Sequence, residues 1–150
     1  MTFVLKLLLP FFKNRRKELI KTPKVFFCDN GLRNFSLGMF NSFKERIGQG
    51  QVFENFTFSE LFKLITAPHS LHYWRTQHKA EVDFALRKSD AKIIPLEVKL
   101  SSKTKVSQGF RHFWRNISLR KPMNRAILEN KKIGNTQVRF ILSYQLPNLF

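Results

Sequence analysis

A chain of 150 residues with 43% apolar side chains, including seventeen Phe, has the length of one domain with a real hydrophobic core, not of a disordered tail. Lys and Arg number 27 against 10 acidic residues, and a net charge of +17 suits a polyanion, most often nucleic acid, with anionic membranes and acidic proteins as alternatives. The single Cys28 excludes an internal disulfide and a thiolate-only zinc site, and fits a reducing cytoplasm.

Met1 to Phe12 is apolar and briefly resembles a signal sequence, but Lys6 interrupts it, the cationic cluster Lys13 to Lys17 follows rather than precedes it, and no small-residue cleavage site appears. About twelve apolar residues also fall short of the roughly twenty that span a bilayer. The expectation is a short buried helix or the remnant of a neighbouring module, with 1–22 as an N-terminal segment and 23–150 as the folded domain. Residues 13–22 are basic and polar, an exposed helix or linker ending at Thr22-Pro23. Lys24 to Cys28 predicts a strand, and Asp29 is placed to cap a short helix through Leu37. Gly48 and Gly50 precede a helix over 51–65, which Ala67-Pro68 stops. Three strands follow, over 71–75, 80–86 and 93–99. Val106, Phe110, Phe113, Trp114 and Ile117 recur at helical spacing, predicting an amphipathic helix over 104–119. Two last strands are expected near Arg125 to Leu128 and Val138 to Ser143.

The chemistry concentrates in two segments, Glu81-Val82-Asp83-Phe84 and Pro95-Leu96-Glu97-Val98-Lys99. Each alternates apolar and charged residues with the period of a half-buried strand. Val82, Phe84 and Leu86 are expected on one face, with Glu81 and Asp83 on the other. In the second segment Ile94, Leu96 and Val98 oppose Glu97 and Lys99. The polar link 88–92 suits a hairpin, and a turn centred on Asp90 sets Asp83 opposite Glu97. Like charges directly opposed on a sheet are destabilising, so the arrangement calls for a compensating cation. A divalent metal on Asp83 and Glu97, with Lys99 beside it, is the natural candidate. A merely solvated sheet face gives the same alternation.

On the helix over 51–65, Asn55, Ser59 and Lys63 form the polar side at 100° per residue. Glu54 is nearly opposite, stacked with Phe58, Leu61 and Ile65. A carboxylate on an apolar stripe is costly unless paired or metal-bound; in the first turn it also favours the helix dipole. Glu60 is a weaker case, nearer the polar edge. His69, His72, His78 and His112 lack zinc spacing and suit surface or packing roles.

A Glu in the first helix, a strand Asp, Glu-x-Lys on the next strand and then an amphipathic helix resemble the PD-(D/E)XK nuclease superfamily, whose fold is restriction-endonuclease-like. The matching residues are Glu54, Asp83, Glu97 and Lys99. A closer resemblance covers nearly the whole chain: Pro23-Lys24-Val25-Phe26-Phe27-Cys28-Asp29-Asn30-Gly31-Leu32, Phe53-Glu54-Asn55, Glu60-Leu61, Tyr73-Trp74-Arg75-Thr76 and the two acidic segments recur in this order in one family. That family is the domain of unknown function at the C-terminal end of prokaryotic AAA+ family ATPases. None of the six glycines begins a phosphate-binding G-x-x-x-x-G-K-[ST] loop, so the chain looks like an isolated C-terminal portion without ATPase activity.

The resemblance implies an α/β, restriction-endonuclease-like core with a mixed central sheet flanked by helices. It implies Mg²⁺, or Mn²⁺, on Asp83, Glu97 and Glu54, polarising a DNA phosphate and activating water. Lys99 would stabilise the developing charge. Glu81 is an outer candidate, Gln108 a helper from the helix, and Tyr73, Trp74 and Arg75 lie near. Lys103, Lys105, Arg111, Arg115 and Arg75 are the expected DNA contacts, and an ATPase module is an expected partner. Two functions follow: a metal-dependent DNA endonuclease of the cytoplasm, or an inactive DNA-binding or protein-interaction module of the same fold.

Overall fold

The computed structural model describes residues 4–11, 22–76, 80–90, 92–100, 106–117, 129–133, 136–140 and 143–149. The basic segment 13–21, Lys103, Lys105, His78 and the strand expected over Arg125 to Leu128 lie outside the described residues.

The fold is mixed α/β. The apolar start forms strand β1 (Leu5–Leu8), not the expected helix. It pairs antiparallel with β2 (Lys24–Phe27), Leu7 facing Val25 and Leu5 facing Phe27. Period-2 geometry explains the departure: Leu5, Leu7 and Leu9 are exposed, while Leu8 is buried. Lys6, between them, sets its ammonium 5.1 Å from the Phe62 ring centre. Beyond β1 the chain continues beside Tyr73, whose N–H donates to Leu9 (3.1 Å) and whose carbonyl accepts from Phe11 (2.6 Å). Pro10 and Tyr73 thus form one parallel bridge that links the first two strands to the next three.

Asp29 caps helix α1 (Asn30–Ser36) as expected, its Oδ1 accepting from the Leu32 N–H at 2.8 Å. Helix α2 runs Gln49–Leu64, with Gly48 at its N-cap in the left-handed region (φ 79°), where a side chain is strained. Strands β3 (Ser70–Arg75), β4 (Glu81–Arg87) and β5 (Ile93–Leu96) form an antiparallel sheet in that order. Helix α3 covers Gln108–Ile117. Strands β6 (Glu129–Ile133) and β7 (Thr136–Phe140) pair as a hairpin, and a 3-10 helix spans Ser143–Leu149.

Strand β4 is buried on both faces. Phe84 and Leu86 join Leu8, Phe26, Phe58, Leu61 and Tyr73, sealed by Leu146 and Leu149 of the last 3-10 helix. Val82 and Ala85 join Phe11, Trp74 and Phe113. Phe26 stacks on Phe58 with centroids 4.3 Å apart, and Trp74 meets Phe113 edge-on at 5.1 Å.

Two expectations about faces are corrected here. Val82 does not share a face with Phe84 and Leu86. Between the pairs His72–Ala85 and Trp74–Val82, β3 has one residue, Tyr73, while β4 has two, Asp83 and Phe84. This β-bulge resets the alternation at the acidic segment. On α2, Asn55 and Ser59 are buried rather than solvated. Asn55 bonds the Phe27 backbone from both ends of its amide, accepting from N–H at 2.9 Å and donating to C=O at 3.1 Å. It also donates to Asn30 Oδ1 at 2.9 Å, so burial leaves no amide end unmatched. Only Lys63 of that trio is solvated, paired with Glu60 one turn earlier at 2.6 Å, which makes Glu60 a surface residue.

Candidate active site

The β4–β5 hairpin has its register centred on Asp90, with Phe84 facing Leu96 and Arg87 facing Ile93. Strand β5 ends at Leu96, so the expected pairing of Asp83 with Glu97 lies past the last paired residues. The Val98 N–H donates to Asp83 Oδ2 at 2.8 Å, fixing the carboxylate against the end of β5. Asp83 is one of the two bulged residues of β4.

Burial pushes the Asp83 carboxyl up to about 6, against the donation from Val98. The charges of Glu54 and Glu97 add to the rise, and that of Lys24 opposes it. Glu54 and Glu97 therefore act on Asp83 from α2 and from beyond β5. Lys99 reaches back to Glu97 Oε1 at 2.7 Å; Glu97 is largely buried while Lys99 is half exposed. Arg75 Nε lies 3.2 Å from Glu81 Oε2 at the other side of the site. Arg111 and Arg115 are exposed on α3, as is Gln108.

Lys24 is the site residue that sequence reasoning missed. Its Nζ lies 3.0 Å from Glu54 Oε1, makes a second ion pair with Glu81 Oε1, and sits 5.4 Å from the Tyr73 ring centre. Burial alone would lower its pKa, but the hydrogen bonds and charges of Glu81 and Glu54 outweigh that and raise it. The cation that the crowded carboxylates call for is therefore supplied in part by the chain itself. Among the described residues, no three His, Cys, Asp or Glu side chains are gathered tightly enough to hold a metal ion. Glu54 and Glu81 are drawn onto Lys24, and Glu97 onto Lys99.

Gly109 is the second residue with no earlier signal. A Cβ there would collide with the carbonyl oxygen of Glu81 and come within 2.8 Å of its nitrogen. Helix α3 thus packs directly on the β4 backbone where the acidic segment begins.

Hard carboxylate oxygens are the donors that Mg²⁺ and Mn²⁺ prefer, but Asp83 is bonded to the Val98 N–H and Glu97 is paired with Lys99. Residues 49–143 match the family model described as Domain of unknown function (DUF4143), and the chain belongs to that family. It is similar to the Uncharacterized protein Rv2008c of Mycobacterium tuberculosis, 32% identical over 110 residues, covering 72% of this chain and 24% of that protein. The Uncharacterized protein Mb2031c of Mycobacterium bovis has the same identity and coverage. The chain spans about a quarter of the length of these relatives. No solved structure matches it. No helix among the described residues is long and apolar enough to cross a membrane.

Proposed function

We propose that this is a nuclease-like, nucleic-acid-associated domain of the kind found at the C-terminal end of prokaryotic AAA+ family ATPases, hydrolysing DNA phosphodiester bonds with Mg²⁺ or Mn²⁺. The observation that carries the reading is Asp83 of β4, held by the Val98 N–H with the charges of Glu54 and Glu97 acting on it. The net charge of +17 supports a polyanionic substrate.

Asp83 and Glu97 would hold the cation, which when bound polarises the scissile phosphate and supplies activated water. Val98 keeps Asp83 oriented through its backbone N–H. Lys99, anchored on Glu97 and half exposed, presents an ammonium to the developing phosphate charge. Arg111 and Arg115 on α3 would bind the DNA backbone. Supercoiled plasmid and branched DNA incubated with Mg²⁺ or Mn²⁺ test this: wild type nicks or cuts, and Lys99→Ala is severely impaired. Equal cutting by Lys99→Ala overturns the assignment.

A second reading has its own support. Lys24 on Glu54 and Glu81, and Lys99 on Glu97, neutralise much of the acidic group without metal. An inactive DNA-binding or protein-interaction module of this fold needs no more. Its signature is DNA binding with no cleavage in either metal.

A further inference from the structure

We propose that the segment 32–47 is a stacking platform for the bases of single-stranded nucleic acid, centred on Phe35 and Phe40. The inference rests on the nucleic-acid reading above, deepens it to a substrate class, and involves no metal ion.

Phe35 and Phe40 are 70% and 74% exposed, and Leu32, Leu37, Phe43 and Ile47 of the same segment are exposed as well. Neither α1 nor the 3-10 turn Phe43–Glu45 has a buried residue. Apolar side chains scattered singly over a surface are ordinary, but this many in one short segment call for a partner.

The segment is shaped by its own hydrogen bonds more than by core packing. Gly38 takes a left-handed turn (φ 63°) after α1, and the Met39 N–H reaches back to the Asn34 carbonyl at 2.8 Å. Past that reversal the Phe40 ring meets Phe35 edge-on, with centroids 6.2 Å apart and planes at 79°. Arg46 Nε donates to the Asn41 carbonyl at 2.8 Å and closes the loop after Phe40. Asn30 secures the platform to α2, donating to the Val52 carbonyl (3.3 Å) and accepting from Asn55 (2.9 Å). The rings are thus presented before a ligand arrives, which spares the cost of ordering them.

Charge decides the occupant. Arg33, Lys44 and Arg46 accompany the rings, and Glu45 is the only carboxylate from 30 to 47. Arg33 lies over the turn, its guanidinium 3.9 Å from the Met39 sulfur. A second copy of a chain of net charge +17 would bring like charge to this face. A single strand brings phosphates for the cations and unstacked base faces for the rings, whatever the base. A duplex keeps its base faces inside the stack and offers the rings nothing.

Fluorescence anisotropy in EDTA, with a labelled oligothymidine and with a duplex of the same length, tests the proposal. Wild type is expected to bind both. Phe35→Ala with Phe40→Ala is expected to weaken single-strand binding roughly tenfold or more and to leave duplex binding unchanged. Phe35→Tyr with Phe40→Tyr, which keeps both rings, is expected to retain single-strand binding. Should the alanine variant not fold, the wild-type chain decides by photocrosslinking to iodouracil-substituted oligothymidine, and crosslinks must map to Phe35 or Phe40. Single-strand affinity that the alanine variant keeps, or loses in step with duplex affinity, overturns the inference, as do crosslinks confined to other residues. The exposed rings then belong to a protein partner. Wild type that binds duplex alone overturns the inference and leaves the nucleic-acid reading standing, whereas wild type that binds neither DNA overturns both.

Discussion

Asp83 and Val98 are joined by a 2.8 Å hydrogen bond from backbone N–H to carboxylate Oδ2, across the open end of the β4–β5 hairpin. It ties the bulged residue of β4 to the segment that carries Glu97 and Lys99. A side chain here replaces the backbone ladder that would otherwise continue, and it keeps a carboxylate at the edge of a buried sheet.

That placement gives a defined pH dependence. Folded Asp83 titrates near 6 against an ordinary 3.8. Between those values the unfolded chain has released a proton that the folded chain keeps. The Asp83 contribution is thus complete below about pH 4, falls as pH rises and is gone above about pH 6. The stability of wild type minus that of Asp83→Asn, from urea unfolding in EDTA, is expected to fall across this window. Each pKa unit corresponds to about 1.4 kcal/mol. A flat or rising difference contradicts the burial of Asp83.

Asn55 joins α2 to β2 with two hydrogen bonds to Phe27 and to α1 with a third, to Asn30. Asn55→Ala leaves the Phe27 N–H and C=O without that partner, at an expected cost of about 1–3 kcal/mol in chemical denaturation. An unchanged denaturation midpoint would show that these groups are satisfied elsewhere.

Gly109→Ala forces a methyl onto the Glu81 carbonyl. The contact is with backbone, which cannot swing aside as a side chain end would. The expected loss is about 1–3 kcal/mol or more, read from the thermal or denaturant midpoint. Gly109→Ala with wild-type stability would mean that α3 sits further from β4.

DNA affinity is expected to be independent of sequence and to fall steeply as salt rises from about 50 to about 200 mM. Arg111→Ala with Arg115→Ala should reduce the log–log salt slope by about two, since each arginine displaces about one counterion. Fluorescence anisotropy with duplex DNA checks it, and an unaltered slope removes α3 from the contact surface.

The hairpin was legible in sequence because two alternating runs flank a short polar link, which left little freedom in register. The Asp29 cap and the span of α2 were legible for similarly local reasons. The bulge at Asp83 and Phe84 was not, since no Gly or Pro marks it and strict alternation was the simplest pattern. β1 looked helical because its leucines suit either structure and only its neighbours decide. Lys24 was hidden by numbers: among 27 cationic residues, nothing local distinguishes the one folded onto Glu54 and Glu81. Asn55 was assigned to water because its type is polar, whereas a backbone partner from β2 made its burial favourable.

The most direct test of the proposed chemistry compares wild type and Asp83→Asn on plasmid and branched DNA, with Mg²⁺, with Mn²⁺ and with EDTA. Binding to the same DNA is measured in parallel. The expected result is metal-dependent cleavage by wild type, none by Asp83→Asn, and DNA binding by the variant that is equal or slightly tighter because a charge repelling phosphate is gone. Wild type that binds DNA but cleaves nothing in either metal, or Asp83→Asn that cleaves as well as wild type, would contradict it.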